Sequence, residues 1–98
     1  MRVLMTVEMD TDASSRAVAD GSLSKVMEST LSQLQPEAAY FTTREGHRTA
    51  YLVFDLQEPS QMVQIADPFF STVSAKVDWS PVMNPQDLQK GLDRLPHR

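Results

Sequence analysis

Residues 38–56 read AAYFTTREGHRTAYLVFDL, and the fold turns on this stretch. Two β-prone runs, Ala38 to Arg44 and His47 to Leu56, flank Glu45-Gly46, a dipeptide suited to a two-residue hairpin with positive φ at Gly46. A loop of that length sets the register. Arg44 opposes His47, Phe41 opposes Ala50, Tyr40 opposes Tyr51 and Ala39 opposes Leu52. Side chains alternate across a strand, so the register also sorts the two faces. Ala39, Phe41, Ala50, Leu52 and Phe54 share an apolar face. Tyr40, Thr42, Arg44, His47, Thr49, Tyr51, Val53 and Asp55 share the opposite one.

Upstream of the hairpin, Val3, Leu4, Met5, Val7 and Met9 mark a first strand over Arg2 to Met9, closed by the turn cluster Asp10-Thr11-Asp12. Val18, Leu23, Val26, Met27, Leu31 and Leu34 then follow as one helical face. Gly21 interrupts it. Glycine costs about 1 kcal/mol in a helix interior, and Asp20 or Ser22 can cap a new start, so a short helical turn over 13–19 and a longer helix over 22–35 are predicted. Pro36 ends the second. Downstream, Glu58-Pro59-Ser60 opens a helix carrying Met62, Val63, Ile65, Ala66, Phe69 and Phe70, in which Pro68 predicts a kink or restart. Ser74 to Ser80 alternates Ala75, Val77 and Trp79 with Lys76, Asp78 and Ser80, the period of a half-buried strand. Asn84-Pro85 reads as N-cap and first residue of a C-terminal helix, with Leu88, Leu92 and Leu95 on one side and Pro96-His97-Arg98 as a frayed end.

The order is β-α-β-β-α-β plus a small helix, the pattern of a single ferredoxin-like α+β domain over residues 1–98. Right-handed crossovers imply an antiparallel sheet of order 4-1-3-2 with both long helices on one face. The core then joins Val3, Met5, Val7, Val77 and Trp79 to the apolar face of the hairpin. Leu4, Thr6, Glu8, Lys76 and Asp78 join the other face. Two tyrosines, Leu4 and Val53 among charges suit a surface where two copies pack sheet to sheet, and a homodimer is predicted.

The chain has 98 residues, with 9 Lys and Arg against 13 Asp and Glu, a net charge of −4. That balance offers no footprint for a polyanion, which argues against nucleic acid or an anionic membrane as partner. The absence of cysteine excludes disulfides, thiol nucleophiles and thiolate metal sites. Met1 to Val7 is too short an apolar run for a leader or a membrane span, so a cytoplasmic protein is expected. No phosphate loop, nucleophile elbow or dinucleotide fingerprint occurs.

The element order, the mixed outer face and the segment Trp79-Ser80-Pro81-Val82-Met83-Asn84-Pro85 resemble the dimeric α/β barrel superfamily, which includes muconolactone isomerase-like proteins and small cofactor-free monooxygenases. More closely, Asp20-Gly21-Ser22-Leu23, Pro36-Glu37-Ala38-Ala39-Tyr40-Phe41, Arg48-Thr49-Ala50-Tyr51, Asp67-Pro68-Phe69-Phe70 and Pro81-Val82-Met83 resemble a set of short bacterial proteins. The resemblance spans nearly the whole chain. It implies two sheets closing a barrel across a dimer and a small organic ligand between sheet and helices. It carries over no catalytic residue, because its motifs identify relatives and not a reaction.

Candidate groups follow from these faces. Tyr40 and Tyr51 are cross-strand neighbours, read first as dimer packing and second as a phenol pair for a ligand. Tyr40, Thr42, Tyr51, Val53, Lys76 and Asp78 make up the expected dimer face. Glu8, Lys76 and Asp78 on adjacent strands suit an ion-pair network at a dimer seam, with a carboxylate base as the alternative. His47 and His97 lack neighbouring ligands, so no metal is expected, and catalysis by His47 requires a partner subunit over the turn. Met27, Met62, Phe69 and Trp79 read as core, with the wall of an apolar pocket as the alternative. A cofactor-free ligand-binding or structural homodimer makes the fewest assumptions. The alternatives are an isomerase or monooxygenase acting on a small hydrophobic metabolite through Glu8, Tyr40, Tyr51 or His47, and a subunit that docks on another protein by a sheet edge.

Overall fold

A computed structural model describes residues 1–96. His97 and Arg98, and with them the expectation for His97, lie outside the described residues. The chain forms β1 (Arg2–Glu8), α1 (Thr11–Asp20), α2 (Ser22–Leu34), β2 (Ala38–Arg44), β3 (His47–Asp55), α3 (Gln61–Val73), β4 (Lys76–Pro81) and α4 (Pro85–Asp93). It is an α+β fold with one four-stranded antiparallel sheet of order β2-β3-β1-β4. That is the expected 4-1-3-2 order taken from the other edge. The simple βαββαβ scheme is matched in part: the first crossover holds two helices, and a fourth helix follows β4.

The hairpin has the register its turn dictates. Glu45 and Gly46 both adopt left-handed backbone, with φ of 52° and 82°, which matches the twist of the flanking strands. Tyr40 pairs with Tyr51, Phe41 with Ala50 and Arg44 with His47. β3 then pairs with β1, and β1 with β4, so Met5 lies between Leu52 and Trp79 while Thr6 lies between Tyr51 and Asp78. The alternation continues across all four strands. Val3, Met5, Val7, Ala50, Leu52 and Phe54 face the helices and form the core with Ile65, Phe69 and Val73. Trp79 meets Phe54 edge to face, with ring centroids 6.1 Å apart and planes at 74°.

α1 begins earlier than its apolar pattern indicates, because Asp10 caps it: its carboxylate accepts the Ala13 N–H at 2.9 Å. Gly21, at φ 83°, ends α1 and starts α2 in a left-handed conformation that a side chain would strain. Four expectations about helices and core are corrected. Val18 is exposed, because α1 buries Ala13, Ser14 and Ala17, small residues that allow close approach to the sheet. Phe70 is exposed, one residue round from the buried arc of Ile65, Ala66, Phe69 and Val73. α3 passes through Pro68 as one helix without a restart, held by that buried arc on either side. Phe41 has the inward register but is 55% exposed, since β2 is an edge strand.

α4 carries a capping box, in which Asn84 accepts the Asp87 N–H at 2.8 Å and Asp87 accepts the Asn84 N–H at 3.2 Å. It buries none of its residues. Arg2 ties its first turn to the sheet through Asp87 at 3.1 Å and also pairs with Glu37. The Glu37 hydrogen bond and charge raise the Arg2 pKa above its ordinary value. The molecule measures 57 × 28 × 19 Å, with a radius of gyration of 15.9 Å. A compact domain of this length has about 12.6 Å. This chain is therefore elongated.

Candidate functional site

At one end of the sheet, Met9 leaves β1, α2 begins and the β2–β3 hairpin closes. Two backbone bonds hold this corner: Met9 N–H donates to Arg48 O at 2.8 Å and Asp10 N–H to Val73 O at 3.1 Å. Here lies a cleft of about 400 Å³ lined by Met9, Leu23, Ser24, Met27, Phe41, Thr42, Arg48 and Thr49. Its walls are largely apolar. The volume falls within the range of small-molecule sites, about 300–1,000 Å³.

Arg48 supplies the cleft's only charge among these residues. It sits on the helical side of β3, on the same alternation as Ala50 and Leu52. A charge at that position requires partners. Its Nη1 donates to Ser14 Oγ at 2.8 Å and to Ser15 Oγ at 3.1 Å. Ser14 is fully buried and donates its own hydroxyl proton to Thr11 O at 3.2 Å, which leaves the oxygen lone pairs for Arg48. Among the described residues no carboxylate lies within 4 Å of Arg48.

The other candidates are distributed over three places. Met27 lines the cleft, but Phe69 is fully buried, while Met62 and Trp79 pack against the core. Tyr40 and Tyr51 stand side by side on the face away from α1, α2 and α3, in one row with Thr6 and Asp78. Thr42, Val53 and Lys76 share that face by register. Tyr40 is 71% exposed and Tyr51 half-buried. Glu8, His47 and Lys76 meet, with Asp10, in a recess of about 100 Å³. His47 Nδ1 lies 3.3 Å from Thr11 Oγ1. Glu8 and Lys76 are cross-strand neighbours that form no ion pair within 4 Å among the described residues.

Arg48 is not among the candidates read from the sequence, although its signal is present there. The hairpin register that placed Ala50, Leu52 and Phe54 inward puts Arg48 inward too, and an arginine on a helix-covered face stands out. Neither family models nor curated proteins yield a match to this chain.

Proposed function

We propose that the protein is a homodimeric small-molecule-binding module of the ferredoxin-like, dimeric α/β barrel type. Two copies pair through the open sheet face, and a small, largely apolar molecule occupies the cleft at the hairpin end. The cleft carries this reading: about 400 Å³ of apolar walls around one positioned cation. The pairing is supported by Tyr40, Tyr51, Leu4 and Val53 on a face that α1, α2 and α3 leave open, and by exposed Leu88 and Leu92 on α4 with Leu95 just beyond its end. Among the described residues no helix is long and apolar enough to cross a membrane. A cytoplasmic location belongs to the same proposal and is supported by the absence of cysteine.

A second reading, a cofactor-free isomerase or monooxygenase, is favoured by one observation. Glu8 and His47, two groups able to accept a proton, line the same recess. At about 100 Å³ that recess is smaller than a ligand site, so the binding module is preferred. Native mass spectrometry of the gently purified protein tests the proposal. A dimer carrying an additional small-molecule mass is the expected result. A monomer would overturn the sheet pairing, and a protein that neither retains nor takes up any small molecule would overturn the binding reading.

A further inference from the structure

The orientation of Arg48 narrows the ligand class, on the assumption that the cleft is the binding site. A guanidinium offers five N–H donors in a planar fork. In this protein both Nη1 protons have acceptors, Ser14 Oγ and Ser15 Oγ. The Nε–H and the two Nη2 protons have none among the described residues. Nε and Nη2 form one edge of the plane, with two nearly parallel N–H bonds spaced to meet the two oxygens of a carboxylate. The serines hold the guanidinium by Nη1, so less of its rotamer freedom remains to be lost when the Nε/Nη2 edge binds.

The lining contains no Asp or Glu to compete for that edge. Met9, Leu23, Met27 and Phe41 form walls that favour an apolar body, and the two methionines adapt to its outline. Ser24 adds a hydroxyl. A phosphate would bring a second negative charge that the single cation of this lining leaves unbalanced. We infer that the cleft binds a monocarboxylate with a compact apolar body, an aryl or branched-chain acid, through a bidentate contact with the Nε/Nη2 edge of Arg48. The acid stays intact, and no bond is made or broken.

The test is calorimetric titration of the whole protein with phenylacetate, 2-naphthylacetate and 4-methylpentanoate, each beside its neutral amide. The acid is expected to bind at least about tenfold more tightly than the amide, the scale of a hydrogen-bonded charge pair. Arg48→Gln is expected to abolish that preference while leaving weak amide binding in place. Arg48→Lys keeps the charge, loses the fork and is expected to retain only part of the preference, so the prediction stands on a second variant if the glutamine chain fails to fold. Leu23→Trp fills the cleft and is expected to remove binding of acid and amide alike. Acid and amide binding equally, with Arg48→Gln unchanged and Leu23→Trp inactive, would overturn the carboxylate assignment and leave the cleft as a site. Binding that ignores Leu23→Trp, or no binding by any probe, would overturn the cleft itself.

Discussion

On the helical side of the sheet, Val3, Met5, Val7, Ala50, Leu52 and Phe54 each expose 3% of their surface or less, whereas one residue along the same strands Leu4, Tyr51 and Val53 remain half-buried. The backbone is shared, and so is the hydrogen-bond ladder. What differs is the neighbouring layer: α1 and α3 supply Ala17, Ile65, Phe69 and Val73 to one face, α2 packs Val26 and Leu31 against it, and no helix of that set covers the other. The first face is filled by volume, and the second carries a mixed polar and aromatic surface. Apolar side chains alone drive burial without direction, while the row Tyr40, Tyr51, Thr6 and Asp78 combines aromatic area with hydroxyls and a charge, the mixture that the proposed pairing would use.

The largest effect that separates the faces is expected at Phe54. Phe54→Ala removes a 2% exposed ring and its edge contact with Trp79. The loss is expected to be about 3–5 kcal/mol, a large share of the about 5–15 kcal/mol that holds a domain together. Urea unfolding beside Val53→Ala, on the opposite face, checks it. Equal losses at both positions would erase the distinction.

Gly46→Val addresses the register that creates the two faces. Nothing lies within 4 Å of a Cβ built there, so its expected cost of about 1–2 kcal/mol comes from the left-handed backbone alone. A melting curve unchanged from the parent would show that strand pairing, and not the turn, sets the register.

Tyr51→Ala sharpens the comparison from the open side. Loss of one half of a cross-strand aromatic pair is expected to weaken the proposed dimer by about tenfold with little change in secondary structure. Sedimentation over a dilution series measures this. An unaltered dissociation constant would move the interface to another surface.

The smallest effect lies at the rim, where the Met1 ammonium donates to Asp55 Oδ1 at 2.6 Å. That hydrogen bond, and then the ammonium charge, lower the Asp55 pKa below its ordinary 3.8. A carboxylate with a depressed folded-state value contributes stability above its unfolded value and loses it as pH falls through the folded one. Asp55→Asn is therefore expected to lower stability slightly at neutral pH and to leave it unchanged in strong acid. Both groups are well exposed, so the effect is small. Paired urea midpoints at the two pH values test the sign.

Much of the fold was legible because its signals are local. Glu45-Gly46 permits one tight turn, and that turn orders Tyr40 opposite Tyr51 and sends Leu52 and Phe54 inward. Gly21 and Pro36 punctuate the first crossover at the positions where α1 and α2 stop. Local signals misled where the depth of burial depends on what lies above. Phe41 has the inward parity of Ala50, yet it lies on an edge strand and lines an open cleft. Val18 and Phe70 fit an apolar helical face, but the helices turn Ala17 and Phe69 to the sheet instead. Pro68 reads as a kink or a restart, and no restart occurs, because buried residues on both sides carry the helix through.

The sequence by itself determined the strands, the hairpin register and the composition of both sheet faces, because a period of two and a two-residue turn are set by neighbouring residues. Only the tertiary structure assembled the cleft. Ser14 and Ser15 reach Arg48 from 34 and 33 residues away, and Leu23 and Met27 reach Phe41 from a different element. Those meetings depend on where α1 and α2 settle over the edge of the sheet, a result of packing area and close approach summed over the whole crossover, which no single stretch of the chain encodes.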